Sequence, residues 1–213
     1  MTLAGTLALA QAPAAPVLSL TATTDNVSGA HDPVRIDVLR WSTDAERDEL
    51  LAGWNMTSAP APAARGGGRG GGGGGGGGRG RGGAPVDAPK LTPETSLAAA
   101  LEKAPTVGYL WSSEVAGYSL RYAAKSADPA GGDRIVLITD RRLGLNNDRW
   151  NLPAGAAPQT AEFSIIEIHL PAKLDGEGKT SLAGKPAIDT AAKTFGLENY
   201  ASLPVNLKGV KKK

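Results

Sequence analysis

The 213 residues carry 23 Lys and Arg against 21 Asp and Glu, a formal charge of +2, and no cysteine. Without cysteine, disulfides, thiolate metal sites and cysteine nucleophiles are excluded, and folding is independent of the redox state of the compartment. Much of the positive excess lies in a Gly/Arg tract and in Lys211–Lys213, both read as flexible, so the remaining body is near neutral. That balance argues against a dedicated nucleic-acid face, which needs a basic patch on the folded surface.

The chain opens MTLAGTLALAQAPAAP. An apolar run from Leu3 to Ala10 leads into Ala10-Gln11-Ala12, which matches a small-x-small signal-peptidase site without the basic segment that usually precedes one. Residues 1–15 therefore read as a cropped signal peptide, with a disordered Ala/Pro leader as the alternative. An extracytoplasmic location, periplasmic or secreted, is the expectation. No other apolar run approaches the ~18 residues of a membrane helix, so no membrane span is expected.

Val17–Thr24 alternates and is rich in β-branched residues, predicting a first strand. Pro33–Trp41 alternates cleanly, with Val34, Ile36 and Val38 on one side and Arg35 and Asp37 on the other. Thr43 as N-cap with Glu46 three residues later forms a capping box and predicts a helix over 43–53. Thr92 and Pro93 predict a second helix over 93–104, stopped by Pro105.

Between the two helices stands ARGGGRGGGGGGGGGRGRGGA, from Ala64 to Ala84. Glycine loses the most freedom on ordering and brings no side chain to bury, so 58–89 is predicted to be a disordered tether. Exchanging a four-residue turn for ~30 flexible residues costs only about 1.5–2 kcal/mol of loop entropy. The helices are too short to persist alone, so both must dock on a sheet.

From Thr106 onward the pattern is β. Val107–Trp111 and Tyr118–Ala124 predict a hairpin, Arg134–Thr139 a buried central strand, and Ala161–Leu170 another strand. Asp140–Pro158 is irregular, with room for one helical turn near Leu145–Trp150. Asp175–Gly178 turns into Lys179–Ala183, Ala187–Phe195 continues the same β-rich stretch, and Val205–Val210 completes the series as a last strand. Seven or eight strands in hairpin order with one helix pair predict an α+β fold, a single domain over 16–213 with a mostly antiparallel sheet.

Several strings, in this order, resemble an uncharacterised family of exported bacterial proteins of about this length. They are RWSTDAERDELL at Arg40–Leu51, VGYLW at Val107–Trp111, GYSLRYA at Gly117–Ala123, DRIVLITDR at Asp133–Arg141 and ENYASLPVNLKGV at Glu198–Val210. The resemblance implies a bacterial, extracytoplasmic protein. It implies no catalytic residue and no cofactor.

Three constellations are candidates for function. Glu167 and His169, at i and i+2 of a strand, share a face and offer a carboxylate and an imidazole to a metal, with His31 as the other available histidine. The structural alternative is the solvent-facing end of a half-buried strand. Tyr109, Trp111, Tyr118 and Tyr122 fall on one face if their segments pair as a hairpin, giving either a carbohydrate or peptide groove or simply core. Arg65, Arg69, Arg79 and Arg81 carry RGG-type tokens of disordered RNA-binding segments, but no aromatics are interleaved. There is no GxSxG elbow, no SxxK and no recognisable triad setting.

The functional expectation is therefore a non-enzymatic exported binding or structural domain, without cofactor and without a specific nucleic-acid partner. Self-association through edge strands is a variant of it. A metal-dependent or carboxylate-based hydrolase is the alternative, and an RGG-type polyanion or RNA binder the second alternative.

Overall fold

Alternating β-branched segments need a partner on each edge, and here eight of them satisfy one another by closing into a ring. The computed structural model describes residues 15–55, 92–145, 148–152, 161–173 and 175–213. The expected leader (Ala15 apart) and the expected tether over 58–89 lie outside the described residues.

The strands are β1 (Leu18–Thr24), β2 (Pro33–Val38), β3 (Gly108–Trp111), β4 (Tyr118–Ala127), β5 (Asp133–Thr139), β6 (Ile165–Leu170), β7 (Gly176–Thr180), β8 (Pro186–Asp189), β9 (Thr194–Leu197) and β10 (Leu207–Lys212). Helices α1 (Asp44–Asn55) and α2 (Pro93–Lys103) fall between β2 and β3. The barrel runs β1-β10-β7-β6-β5-β4-β3-β2, with β1 also pairing β2 to close it, and every pair is antiparallel. β8 and β9 form a separate two-stranded sheet.

Eight strands enclose an interior just wide enough for side chains to fill. Leu20, Ile36, Leu110, Leu120, Leu137 and Ile168 do so here, all inaccessible to solvent. Leu143 and Trp150, from the connection between β5 and β6, join the same core, the latter on a 3₁₀ turn at Asp148–Trp150. That connection is tied down at one end of the barrel. The Ser28 N–H donates to the Asn151 carbonyl at 2.7 Å, and the Gly144 N–H to the Tyr118 hydroxyl at 3.0 Å.

A second core lies outside the barrel wall. Tyr122, Val136, Ile138 and Ile165 point outward from β4, β5 and β6, beneath Leu50 of α1, Leu97 and Leu101 of α2, and Phe195 and Leu197 of β9. Burial on both faces explains why β5 reads as a continuous apolar run rather than an alternating one. Both helices start on the boxes the sequence encodes. The Thr43 N–H donates to Glu46 at 2.8 Å and the Glu46 N–H to the Thr43 hydroxyl at 3.2 Å, while Thr92 exchanges the same bonds with Thr95. Arg40 grips Glu46 in a two-point ion pair at 2.7 and 2.9 Å, and this pairing above all lowers the Glu46 carboxyl to about 2.

Four expectations need correction. β6 starts at Ile165, because the chain bends at Glu162 and Phe163 before it; the Ser164 N–H donates to the Thr139 hydroxyl at 2.9 Å and its carbonyl accepts from the Thr139 N–H at 3.0 Å. The β-rich stretch Ala187–Phe195, read without an internal turn, holds one and forms a hairpin. The Asp189 carboxylate accepts from the Ala191 and Ala192 N–H groups, and Lys193 takes the left-handed conformation (φ 48°) that turns the chain into β9. Lys211 and Lys212 belong to β10, where they pair with Asp175 (3.1 Å) and Asp133 (2.9 Å), so this part of the positive charge is compensated. Finally, the terminal strand offers no free edge for strand addition, since β10 is hydrogen-bonded to β1 and β7.

Candidate functional site

Glu167 and His169 project outward from β6, as their spacing requires, but the hairpin β8–β9 crosses over them. Glu167 is only 3% exposed. The solvent-facing alternative is thereby corrected: a layer folded over the wall covers the carboxylate. Its Oε1 accepts from Arg134 Nε at 2.7 Å and faces His169 Nε2 at 3.2 Å, and its Oε2 accepts from the Leu197 N–H at 2.9 Å. Arg134 reaches on to Asp189 of β8 at 2.8 Å.

The other side of His169 is taken by Asp128, whose carboxylate lies 2.5 Å from Nδ1. Asp128 is placed by the turn between β4 and β5. Its second oxygen accepts from the Ala130 N–H, and Gly131 and Gly132 supply the positive φ angles the turn needs. Tyr200, on a 3₁₀ turn at Tyr200–Ser202, stacks on the imidazole with ring centroids 4.1 Å apart. The Tyr200 carbonyl accepts from buried Lys179 at 2.9 Å, and the same ammonium sits 4.5 Å from the centre of the Tyr200 ring. The result is a chain of alternating charges, Asp128–His169–Glu167–Arg134–Asp189, that fastens the hairpin to the barrel.

Its electrostatics follow from that alternation. The His169 imidazole is held above its ordinary value, first by its bond to Glu167 and then, against the cost of burial, by the Asp128 charge. On Glu167 burial pushes upward, but the bonds from His169 and Arg134 and the guanidinium charge outweigh it and hold the carboxyl low. A raised imidazole stabilises the fold fully below its unfolded pKa and loses that contribution as pH rises through the folded value. A depressed carboxyl does the reverse, losing its contribution as pH falls. Thermal melts should show stability falling on both sides of a plateau. His169→Gln should flatten the alkaline limb and leave the acid limb in place; an alkaline limb unchanged by the substitution would remove His169 as its source.

With both ring nitrogens facing carboxylates, His169 has no lone pair directed at solvent. His31 is placed elsewhere, its Nδ1 2.7 Å from the Thr24 carbonyl across the turn between β1 and β2. Among the described residues, no group of three or more His, Cys, Asp and Glu side chains is arranged to hold a metal ion. The partners the sequence reading missed are Arg134, Asp128, Asp189 and Tyr200. Arg134 alone left a trace, as an arginine opening an otherwise apolar strand.

The four aromatic residues separate onto three surfaces, which corrects the one-face expectation. Leu110 pairs with Tyr118 across the hairpin, so Tyr118 enters the barrel while Tyr109 and Trp111 point outward. A bulge between Leu120 and Tyr122 then turns Tyr122 out of the barrel, into the layer beneath the helices. Tyr122 donates to or accepts from Thr194 at 2.7 Å and meets Phe195 edge-on at 5.5 Å. Tyr118 donates to Glu114 at 2.7 Å, and burial raises its phenol above the ordinary range.

Tyr109 and Trp111 remain on the wall, 37% and 38% exposed, with ring centroids 5.8 Å apart. Two residue rows cross this wall: Ser19–Asp37–Tyr109 and Thr21–Arg35–Trp111. The Arg35 guanidinium lies 5.8 Å from the Trp111 ring and pairs with Asp37 at 2.9 Å, and Ser19 donates to Asp37 at 2.8 Å. Arg65, Arg69, Arg79 and Arg81 lie outside the described residues. No described helix is long and apolar enough to cross a membrane. Comparison with protein-family models, with curated proteins and with solved structures found no match to this chain.

Proposed function

We propose that this protein is a non-enzymatic, exported binding domain that meets its partner with the outer wall of β1, β2 and β3. The observation that carries this reading is the exposed Tyr109–Trp111 pair. Two rings on alternate residues of one strand supply rigid contact area with few rotamers to freeze. The flanking hydroxyls of Ser19 and Thr21, the Arg35 guanidinium and the Asp37 carboxylate supply donors and acceptors in the same plane. A sugar chain needs this combination, a ring to stack its C–H face on and polar groups for its hydroxyls. The apolar run Leu3–Ala10 with Ala10-Gln11-Ala12 supports export.

The hydrolase alternative draws less support, because Glu167 and His169 are engaged by Arg134, Leu197 and Asp128. Co-sedimentation with insoluble polysaccharides, peptidoglycan among them, tests the binding reading. Wild-type protein should be retained on at least one. Trp111→Ala should weaken retention at least tenfold without changing the melting temperature, since the ring is partly exposed and lies outside both cores. Retention by none of them, or retention unchanged in Trp111→Ala, would remove the carbohydrate reading. Recovery of the protein in the cytoplasmic fraction would remove export.

A further inference from the structure

A cleft of about 350 Å3 opens beside Arg134, between the start of α1, the outer faces of β4 and β5, and the turn joining β8 to β9. Its size suits a small organic molecule. Trp41 and the buried Tyr122 and Val136 give it an apolar, partly aromatic lining. Four cations border it, Arg47, Lys125, Arg134 and Lys193, against a single carboxylate, Asp44.

Asp44 pairs with Arg47 within the lining, and the other carboxylates that hold these cations stand outside it. Arg134 is gripped by Glu167 and Asp189, Arg47 by Asp48 as well as Asp44, and Lys125 by Asp133. Such pairing pre-positions the cations without filling the cleft. Lys193 makes no ion pair among the described residues, and it occupies a left-handed position that favours glycine. The lysine therefore brings a charge to the cleft at a backbone cost that glycine would avoid. The amino end of α1 is not part of the case, because Thr43 and Glu46 already satisfy each other's N–H groups there.

We infer that this cleft binds a small organic anion, a carboxylate or phosphate ester on a flat apolar body, its head met by Arg47, Lys125 and Lys193 and its body by Trp41 and Tyr122. The site is separate from the aromatic wall of β3, so either assignment stands if the other fails.

Amide chemical-shift titrations of the full chain test the inference with phenyl phosphate, benzoate, inorganic phosphate and neutral benzyl alcohol as probes. Phenyl phosphate or benzoate should saturate, with the largest shifts at Ala124, Lys193 and Thr194. Benzyl alcohol and inorganic phosphate should each bind at least tenfold more weakly, one lacking the head and the other the body. Lys193→Gly should weaken the organic anion at least fivefold while the melting temperature holds or rises, a split that a purely structural lysine would not produce. No saturation with either organic anion up to about 10 mM, where even millimolar sites fill, would overturn the site. Affinity unchanged in Lys193→Gly would overturn it equally.

Discussion

Replacing Glu167 by alanine should destabilise the fold by about 3–5 kcal/mol, the range for breaking a buried pair from one side. The carboxylate is 3% exposed and accepts from Arg134 at 2.7 Å and from the Leu197 N–H at 2.9 Å. Its loss strands a guanidinium whose side chain is only 10% exposed, with the half-buried Asp189 as its remaining counter-charge. It also leaves the Leu197 N–H without its acceptor. The site has little room to relax, because β9 passes so close that a Cβ on Gly196 would lie 2.6 Å from Arg134 Nη2. Replacing both partners, Arg134→Met with Glu167→Leu, should recover part of the loss, since no buried guanidinium is stranded, while the Leu197 N–H still lacks its acceptor and Asp189 loses its cation. Urea unfolding of the single and double variants checks this. A single-variant loss below about 1 kcal/mol would mean that the pair is far better hydrated than its burial implies.

Trp150→Ala should cost a similar amount, about 3–5 kcal/mol, through a different mechanism. The indole is 1% exposed and belongs to the barrel core, although it comes from a connection rather than a strand. Truncation removes a large apolar surface and leaves a cavity that fixed strand spacing prevents the barrel from closing. Unlike Glu167→Ala, it should leave the pH profile of stability unchanged, because no charge is involved. Trp150→Phe should lose less than half as much, since most of the volume remains. Equal losses in the two variants would show that the whole indole, and not merely bulk, is required.

How far this architecture was legible depends on how local its determinants are. Alternation in Val34-Arg35-Ile36-Asp37-Val38, the capping box at Thr43 and the Thr92-Pro93 helix start are written within a few residues, and the elements they predict are present. The closure of β1 on β10 depends on residues such as Asp25 and Lys208, 183 positions apart, and no local pattern announces it. The aromatic face failed on parity. A hairpin shifted by one residue exchanges its faces, and the register Leu110–Tyr118 with one bulge sends four rings to three places. The turn inside the β-rich stretch Ala187–Phe195 went unmarked because its left-handed residue is Lys193, where glycine or asparagine would have signalled it. Burial of Glu167 was hidden for the same reason, since the hairpin that covers it had not been seen.

The pairing of β1 with β10 also governs when the molecule can exist. Leu20 of the first strand is registered against Lys212 of the last, so the ring has a gap until nearly all of the chain is available. During synthesis β1 and β2 can zip together early, but the outer edge of β1 waits for Leu207–Lys212, more than 180 residues later. Contacts that distant slow folding and leave the waiting edge exposed. A nascent chain of this design keeps an open ring until β10 has been made and paired with β1.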